Sequence, residues 1–207
     1  MYSAIHIKTN KPVLILDRIL IREADFAEYV PGIPARLLCL AGVERFVLVN
    51  SATSVAAKYK AGDICTLKDH ASYFASNPLV GPNVEEWGTR FPDASKFYKK
   101  GSAVEIAKKL EEKLGITRVK TLWVPSLKGY QDVVEKKFAR EGLAMDLVVD
   151  KGISESIVVH HMSRDKIKEM IYIAVVTRTY KDSTTSFVQT CSKLNQLFGS
   201  KLKILLK

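Results

Sequence analysis

No apolar run in this chain approaches the roughly 20 residues needed to span a bilayer. The opening MYSAIHIKTNK has no apolar core of the kind a secretory signal carries. Both absences point to an intracellular, cytoplasmic protein without a membrane partner. Cysteine is scarce: Cys39, Cys65 and Cys191 are odd in number, widely spaced and set in apolar or helical surroundings. They read as buried free thiols, and neither a disulfide framework nor a metal site is expected of them. Internal repeats, low-complexity linkers and recognisable nucleic-acid motifs are also missing, and no serine, cysteine and histidine stand at a nucleophile's spacing.

What is present is a core and a surplus of positive charge. At 207 residues and 47% hydrophobic, the chain can bury one substantial core as a single domain over 1–207. The net charge of +10, with a pI near 9.4, favours anionic partners such as nucleic acid or acidic surfaces. Most lysines, however, sit in segments such as EIAKKLEEKL and VEKKFAR, interleaved with acids, as on solvated helix faces. A nucleic-acid role therefore rests on charge alone.

Apolar runs of strand length alternate with helical periods, predicting an α/β three-layer sandwich around a mixed central sheet. Strands are expected over 13–20, 46–49 (buried), 117–124, 144–149 and 171–177, with another opening at Gly62. Helices are expected over 33–41, 103–114, 130–141, 153–162 and 184–198. Pro34 and Gly42 frame the first, Ser102 and Gly115 the second, and Gly142 closes the third. The stretch 71–92 is polar, punctuated by Gly and Pro, and long for a connection, which marks a functional or interface loop. Trp87 and Trp123 read as core or interface aromatics, and Asp63 as a turn former.

The segment GDICTLKDHASYFASNPLVGPNVEEWGTRFP at 62–92 closely resembles the central signature of the trimeric purine nucleoside phosphorylases. Gly62, Asp63, Ile64, Asp69, His70, Asn77, Pro78, Leu79, Gly81, Pro82, Asn83, Arg90, Phe91 and Pro92 fill its places in order. From there VLVNSATS, VPSLKG, DKGISESIVVHH and VVTRTY fall on further family motifs, so the similarity runs from about Lys11 onward. The resemblance implies a nucleoside phosphorylase-like fold and phosphorolysis of purine nucleosides, with phosphate as co-substrate and no cofactor. It also implies a family unit with a Gly-rich phosphate loop ahead of Lys11 that this sequence does not contain, and hence a homo-oligomer (a trimer) or a partner protein covering the gap.

Position by position, the resemblance places an unusual set of side chains in the ligand cleft. The glutamate that accepts from the purine becomes Lys128, and the asparagine at the purine N7 becomes Arg178. A lysine cannot accept a hydrogen bond, so the chemistry at the first position is reversed. The methionine under the ribose becomes Asp150, the neighbouring phosphate-binding serine Lys151, and the flexible aromatic Leu127. A Gly-Gly pair of the phosphate turn becomes Thr53-Ser54, and a late histidine falls near Ser192. Arg18 aligns with a phosphate-binding arginine, while Asn50 and Ser51 keep the start of the phosphate turn. Phe91 matches a phenylalanine that reaches into the neighbouring subunit's pocket, or else it anchors its own loop. Asp69, His70, Asn77 and Asn83 suit internal hydrogen bonds that pin that loop. His160, His161 and Glu155 match a structural helix and read as such in preference to a metal site.

Besides a polyanion-bound component of a larger assembly, which rests on charge alone, two functions remain open at this point. One is a catalytically silent binding or structural subunit with a cationic cleft formed by Arg18, Lys128, Lys151 and Arg178, suited to a phosphorylated ligand or acidic peptide. The other is an active phosphorylase with altered specificity.

Overall fold

Alternating apolar strands and amphipathic helices give this chain a mixed β-sheet that closes on itself. Residues 2–5, 12–16, 30–73, 77–98, 103–124, 136–162 and 169–181 are described in the computed structural model of the chain. Arg18, Lys128, Leu127, Ser192, Cys191, Ser102, the second half of the strand expected over 13–20 and the helix expected over 184–198 lie outside the described residues.

Strands β1 (Tyr2–Ile5) and β2 (Pro12–Ile15) form a separate antiparallel pair. Helix α1 (Ile33–Leu40) follows a single 3-10 turn and carries a proline in its first turn, where no amide hydrogen is needed. Gly42, at φ +84°, ends it: its amide donates to the Cys39 carbonyl at 3.1 Å, and the Val43 amide donates to the Leu38 carbonyl at 3.0 Å. These are the two bonds of a Schellman cap.

The closed sheet is built from β3 (Arg45–Ser54), β4 (Ile64–Ser72), β5 (Thr117–Trp123), β6 (Leu147–Val149) and β7 (Glu169–Thr179), in the order β3-β6-β5-β4-β7. The strand β3 runs parallel to β7 and antiparallel to β6, β5 runs parallel to both β4 and β6, and β4 meets β7 antiparallel. The expected mixed sheet and flanking helices are therefore present, and the sheet curls far enough for its outer strands to pair.

Strand β7 is apolar on both faces because both are covered. Met170, Tyr172, Ala174 and Val176 join the main core with Leu67, Val119, Trp123 and Leu147. Ile171, Ile173 and Val175 pack instead with Ile64 and with Ile106 of helix α2 (Ala103–Leu114). Full burial of each such aliphatic side chain is worth roughly 1.5–3 kcal/mol, so the run MIYIAVV anchors the fold. Strand β3 is less enclosed than the expectation of a buried strand over 46–49. Phe46 is buried, but Val47 and Val49 alternate to the outside and are exposed.

The expected helix over 130–141 is described only from residue 136 and ends in a wide π turn, Phe138–Gly142, where the Leu143 amide reaches back to the Phe138 carbonyl at 3.1 Å. Gly142 was expected to supply the left-handed closing residue. That conformation falls instead on Ala144, at φ 50°.

The long loop rests on α1 and on helix α3 (Ile153–His161). Arg36 donates to the Pro78 carbonyl at 2.9 Å, and its guanidinium lies 5.1 Å from the centre of the half-buried Trp87 ring. Asn77 and Asn83 bond within the loop, as the signature suggested, whereas Asp69 and His70 lie on β4. Asn77 accepts from the Leu79 amide at 3.0 Å, and Asn83 donates to the Gly88 carbonyl at 3.3 Å. Asp69 accepts from the His70 amide at 2.9 Å, and His70 Nδ1 lies 2.9 Å from the Tyr98 hydroxyl. Burial lowers the His70 pKa to about 4, so the ring is neutral at ordinary pH and can be packed flat against Phe97.

Candidate functional site

Three backbone segments converge beside the parallel pair β3 and β7: the end of β3, the turn after β6 that enters α3, and β7 itself. The turn is Asp150-Lys151-Gly152, and its conformation is over-determined. Gly152 sits at φ +82°, and a Cβ there would fall 2.2 Å from Asn50 Nδ2 and 2.8 Å from Tyr172 Cε2. Only glycine meets both demands.

Gly152 is also the N-cap of α3. It has no capping side chain of its own, but Glu155, three residues on, accepts from the Gly152 amide. This is the returning half of a capping box. Ser156 closes the first turn, its hydroxyl donating to the Gly152 carbonyl at 2.9 Å. From β7, the Tyr172 hydroxyl donates to the Lys151 carbonyl at 2.5 Å. Lys151 and Gly152 are thus both tied through their backbones to β7 or α3.

Asp150 lies at the centre of the charges. Its side chain is only 5% exposed, and its carboxylate stands 3.9 Å from Lys151 Nζ. Burial raises its pKa above the usual carboxylate range, opposed by the positive charges of Lys151 and Arg178. Arg178 is brought there by a register shift: Ala52 pairs with Val176, but Thr53 pairs with Arg178, leaving Thr177 as an extra residue in β7. Bulges of this kind re-aim the side chains beyond them.

Asn50 is buried on the inner face of β3, while Ser51 points outward and is exposed. The Asn50 amide nitrogen lies beside the Tyr172 hydroxyl without a hydrogen bond of good geometry to any acceptor. Thr53 and Ser54, which stand where the family has glycines, are both buried, and the Ser54 hydroxyl donates to the Ala56 carbonyl at 2.8 Å. Glu155 is buried, and burial lifts its pKa to about 7. Its Oε1 has no hydrogen-bond partner.

Of the residues expected in the cleft, the structure gathers Asn50, Asp150, Lys151 and Arg178. Ser51 faces away, and Arg18 and Lys128 lie outside the described residues. The expected cleft was strongly cationic. Among the described residues, its two cations share a buried carboxylate, so the local charge is much reduced. Phe91 is 85% exposed, with the Arg90 guanidinium 5.8 Å from its ring centre. It does not anchor the loop against its own core.

Sequence reasoning missed Tyr172 and Gly152. A lone tyrosine in an aliphatic strand was the available signal for the first, and a glycine just before a helix for the second. His160 Nε2 lies 3.1 Å from the Asp93 carbonyl oxygen, with the ring edge-on to Phe97, and His161 is buried. Among the described residues, no group of three or more His, Cys, Asp or Glu could hold a metal, and no helix is long and apolar enough to cross a membrane.

Residues 32–137, just over half of the chain, match the family model described as the phosphorylase superfamily. The chain belongs to that superfamily.

Within it, the chain is 33% identical over 132 residues to purine nucleoside phosphorylase 1 of Bacillus subtilis (strain 168), a stretch covering 62% of this chain and 47% of the relative. It is 40% identical over 68 residues to the purine nucleoside phosphorylase of Rattus norvegicus, covering 31% of this chain and 24% of the relative. The chain thus spans less than half the length of these curated relatives. Isoform 2 of the Schistosoma mansoni purine nucleoside phosphorylase, solved with cytosine and ribose-1-phosphate, superposes with a TM-score of 0.80 at 20% identity, over 95% of this chain and 72% of that one. The Schistosoma mansoni enzyme solved with inosine gives a TM-score of 0.73 at 24% identity, over 88% and 68%. At those identities the likeness establishes the fold, which is that of the purine nucleoside phosphorylases.

Proposed function

We infer that this member of the superfamily is a purine nucleoside phosphorylase-like protein that is catalytically silent and acts as a binding or structural subunit. The observation that carries the reading is the buried Asp150 carboxylate, paired with Lys151 beside Arg178. By resemblance, that position faces the ribose and phosphate of a nucleoside. Phosphorolysis needs an anionic nucleophile under C1′ and a donor or acceptor set that stabilises charge developing on the departing purine. A fixed carboxylate at the ribose repels incoming phosphate. A guanidinium in place of an amide at the purine N7 fills more room and brings a permanent charge.

Self-association belongs to the same reading. Phe91 holds the position of an aromatic that crosses between subunits in the family, and its exposure supports a homo-oligomer in which it packs against a neighbouring copy.

The test is phosphate-dependent cleavage of inosine and guanosine by the purified chain, followed by release of the free base. No turnover above the uncatalysed rate is expected. Robust turnover would establish the second reading, an active phosphorylase of altered specificity. That reading is favoured by the family's phosphorolytic members and by the retained Asn50.

A further inference from the structure

The stretch 93–98, just beyond the long loop, lies as a strap along helix α3. The Asp93 carbonyl oxygen is 3.1 Å from His160 Nε2, and Phe97 meets the same histidine ring edge-on at 4.4 Å. Towards the start of the helix, Tyr98 is hydrogen-bonded to Ser156. The Tyr98 hydroxyl also lies 2.9 Å from Nδ1 of His70, on β4 just before the loop, so this contact draws the two ends of the loop together. Tyr98 therefore touches both the closed loop and the first turn of α3.

Counting protons gives these contacts a direction. Ser156 has one hydroxyl hydrogen, and it goes to the Gly152 carbonyl at 2.9 Å. Tyr98 must then donate to Ser156 Oγ, which leaves its own oxygen to accept from His70 Nδ1. The His70 ring is neutral at ordinary pH, so its single hydrogen sits on Nδ1. We propose that Tyr98 is a latch that makes the closed loop and the Asp150 turn open as one unit, through donors running from His70 Nδ1–H to the Gly152 carbonyl. Tyr98 and Ser156 are both buried. If the turn swings out or the loop lifts away, the chain breaks and leaves a buried hydroxyl without its partner, which the remaining structure resists.

The latch goes beyond the silent reading and holds whether or not the cleft turns over a nucleoside. Native-state hydrogen exchange on the full chain tests it at three amides. That of Ser156 bonds to the Gly152 carbonyl and reports the turn, and that of Phe97 bonds to the Ala94 carbonyl and reports the strap. The Val176 amide, bonded to the Asp63 carbonyl, reports the sheet. In the wild type the amides of Ser156 and Phe97 should share one opening constant, larger than that of Val176. Tyr98→Phe keeps the ring and removes the hydroxyl, and should separate the first two constants by at least about fivefold. Ser156→Ala, which breaks the chain from the other side, should separate the amides of residues 156 and 97 likewise. Unequal constants in the wild type, constants that stay equal in both variants, or one value shared with Val176 would each overturn the latch. The nitrogen shifts of His70 give a measurement that needs no variant. They should show the hydrogen on Nδ1, and a ring protonated on Nε2 alone would overturn the proposal.

Discussion

Gly88 and His161 meet backbone to backbone: a Cβ added at residue 88 would lie 2.1 Å from the His161 carbonyl oxygen. The signature loop is thereby docked on the last turn of α3, at the opposite end of that helix from the Asp150 turn. Gly88→Ala should push the loop off the helix and destabilise the fold by about 1–3 kcal/mol, the usual cost of overpacking. The check is the urea midpoint. An unchanged midpoint would mean that the loop is not seated there.

Ala144 presents the reverse case. It holds a left-handed φ of 50° just after the π turn, a conformation that costs a residue with a Cβ about 1–2 kcal/mol. Ala144→Gly should raise stability by about 0.5–1 kcal/mol once the extra chain entropy of glycine is set against the relieved strain. Guanidinium unfolding of the two proteins measures the difference. A destabilised variant would contradict the assignment.

Glu155 predicts how stability depends on pH. Its ordinary pKa of 4.5 is raised to about 7 in the folded protein, mainly by burial, with bonds from the backbone amides of Glu155 and Gly152 opposing the rise. The folded state therefore binds this proton more tightly than the unfolded state. The group's contribution is fully present below 4.5 and is lost as pH rises to 7. Glu155→Gln keeps an acceptor for the Gly152 amide without the titration. It should flatten that part of the profile and exceed the wild type by on the order of 3 kcal/mol at pH 8 relative to pH 4. Parallel pH slopes for the two proteins between 4.5 and 7 would refute this.

Phe91 separates folding from assembly. Because its ring is largely in water, Phe91→Ala should leave the unfolding free energy of the isolated chain within about 0.5 kcal/mol. The same change should weaken self-association, read as a lower average mass by sedimentation equilibrium. A large loss of monomer stability would place the ring inside its own core instead.

Much of the scaffold was legible because its signals are local. Helix α2 falls on its expected 103–114 because amphipathic spacing and Gly115, at φ +64°, define both length and stop. Strand β7 was visible as an unbroken apolar run. Closure of the sheet was not, since it depends on pairing β3 with β7 across more than a hundred intervening residues. Nor was the exposure of Val47 and Val49, whose β-branched side chains read as interior. At the site, resemblance pointed to Asn50, Asp150, Lys151 and Arg178. It gave no sign that Asp150 would sit buried among the cations, because burial of a charge is decided by neighbours far away in the chain. Tyr172 was hidden for the same reason: its hydroxyl matters only once Lys151 is folded against it.

The surplus residue in β7 gives Thr177 an importance that its chemistry does not suggest. Side chains along an extended strand alternate, so removing one peptide unit ahead of Arg178 would swap inside for outside and turn the guanidinium away from Asp150. The meeting of those two charges is therefore fixed by the parity of the strand, a quantity that no point substitution can alter and a single deletion can.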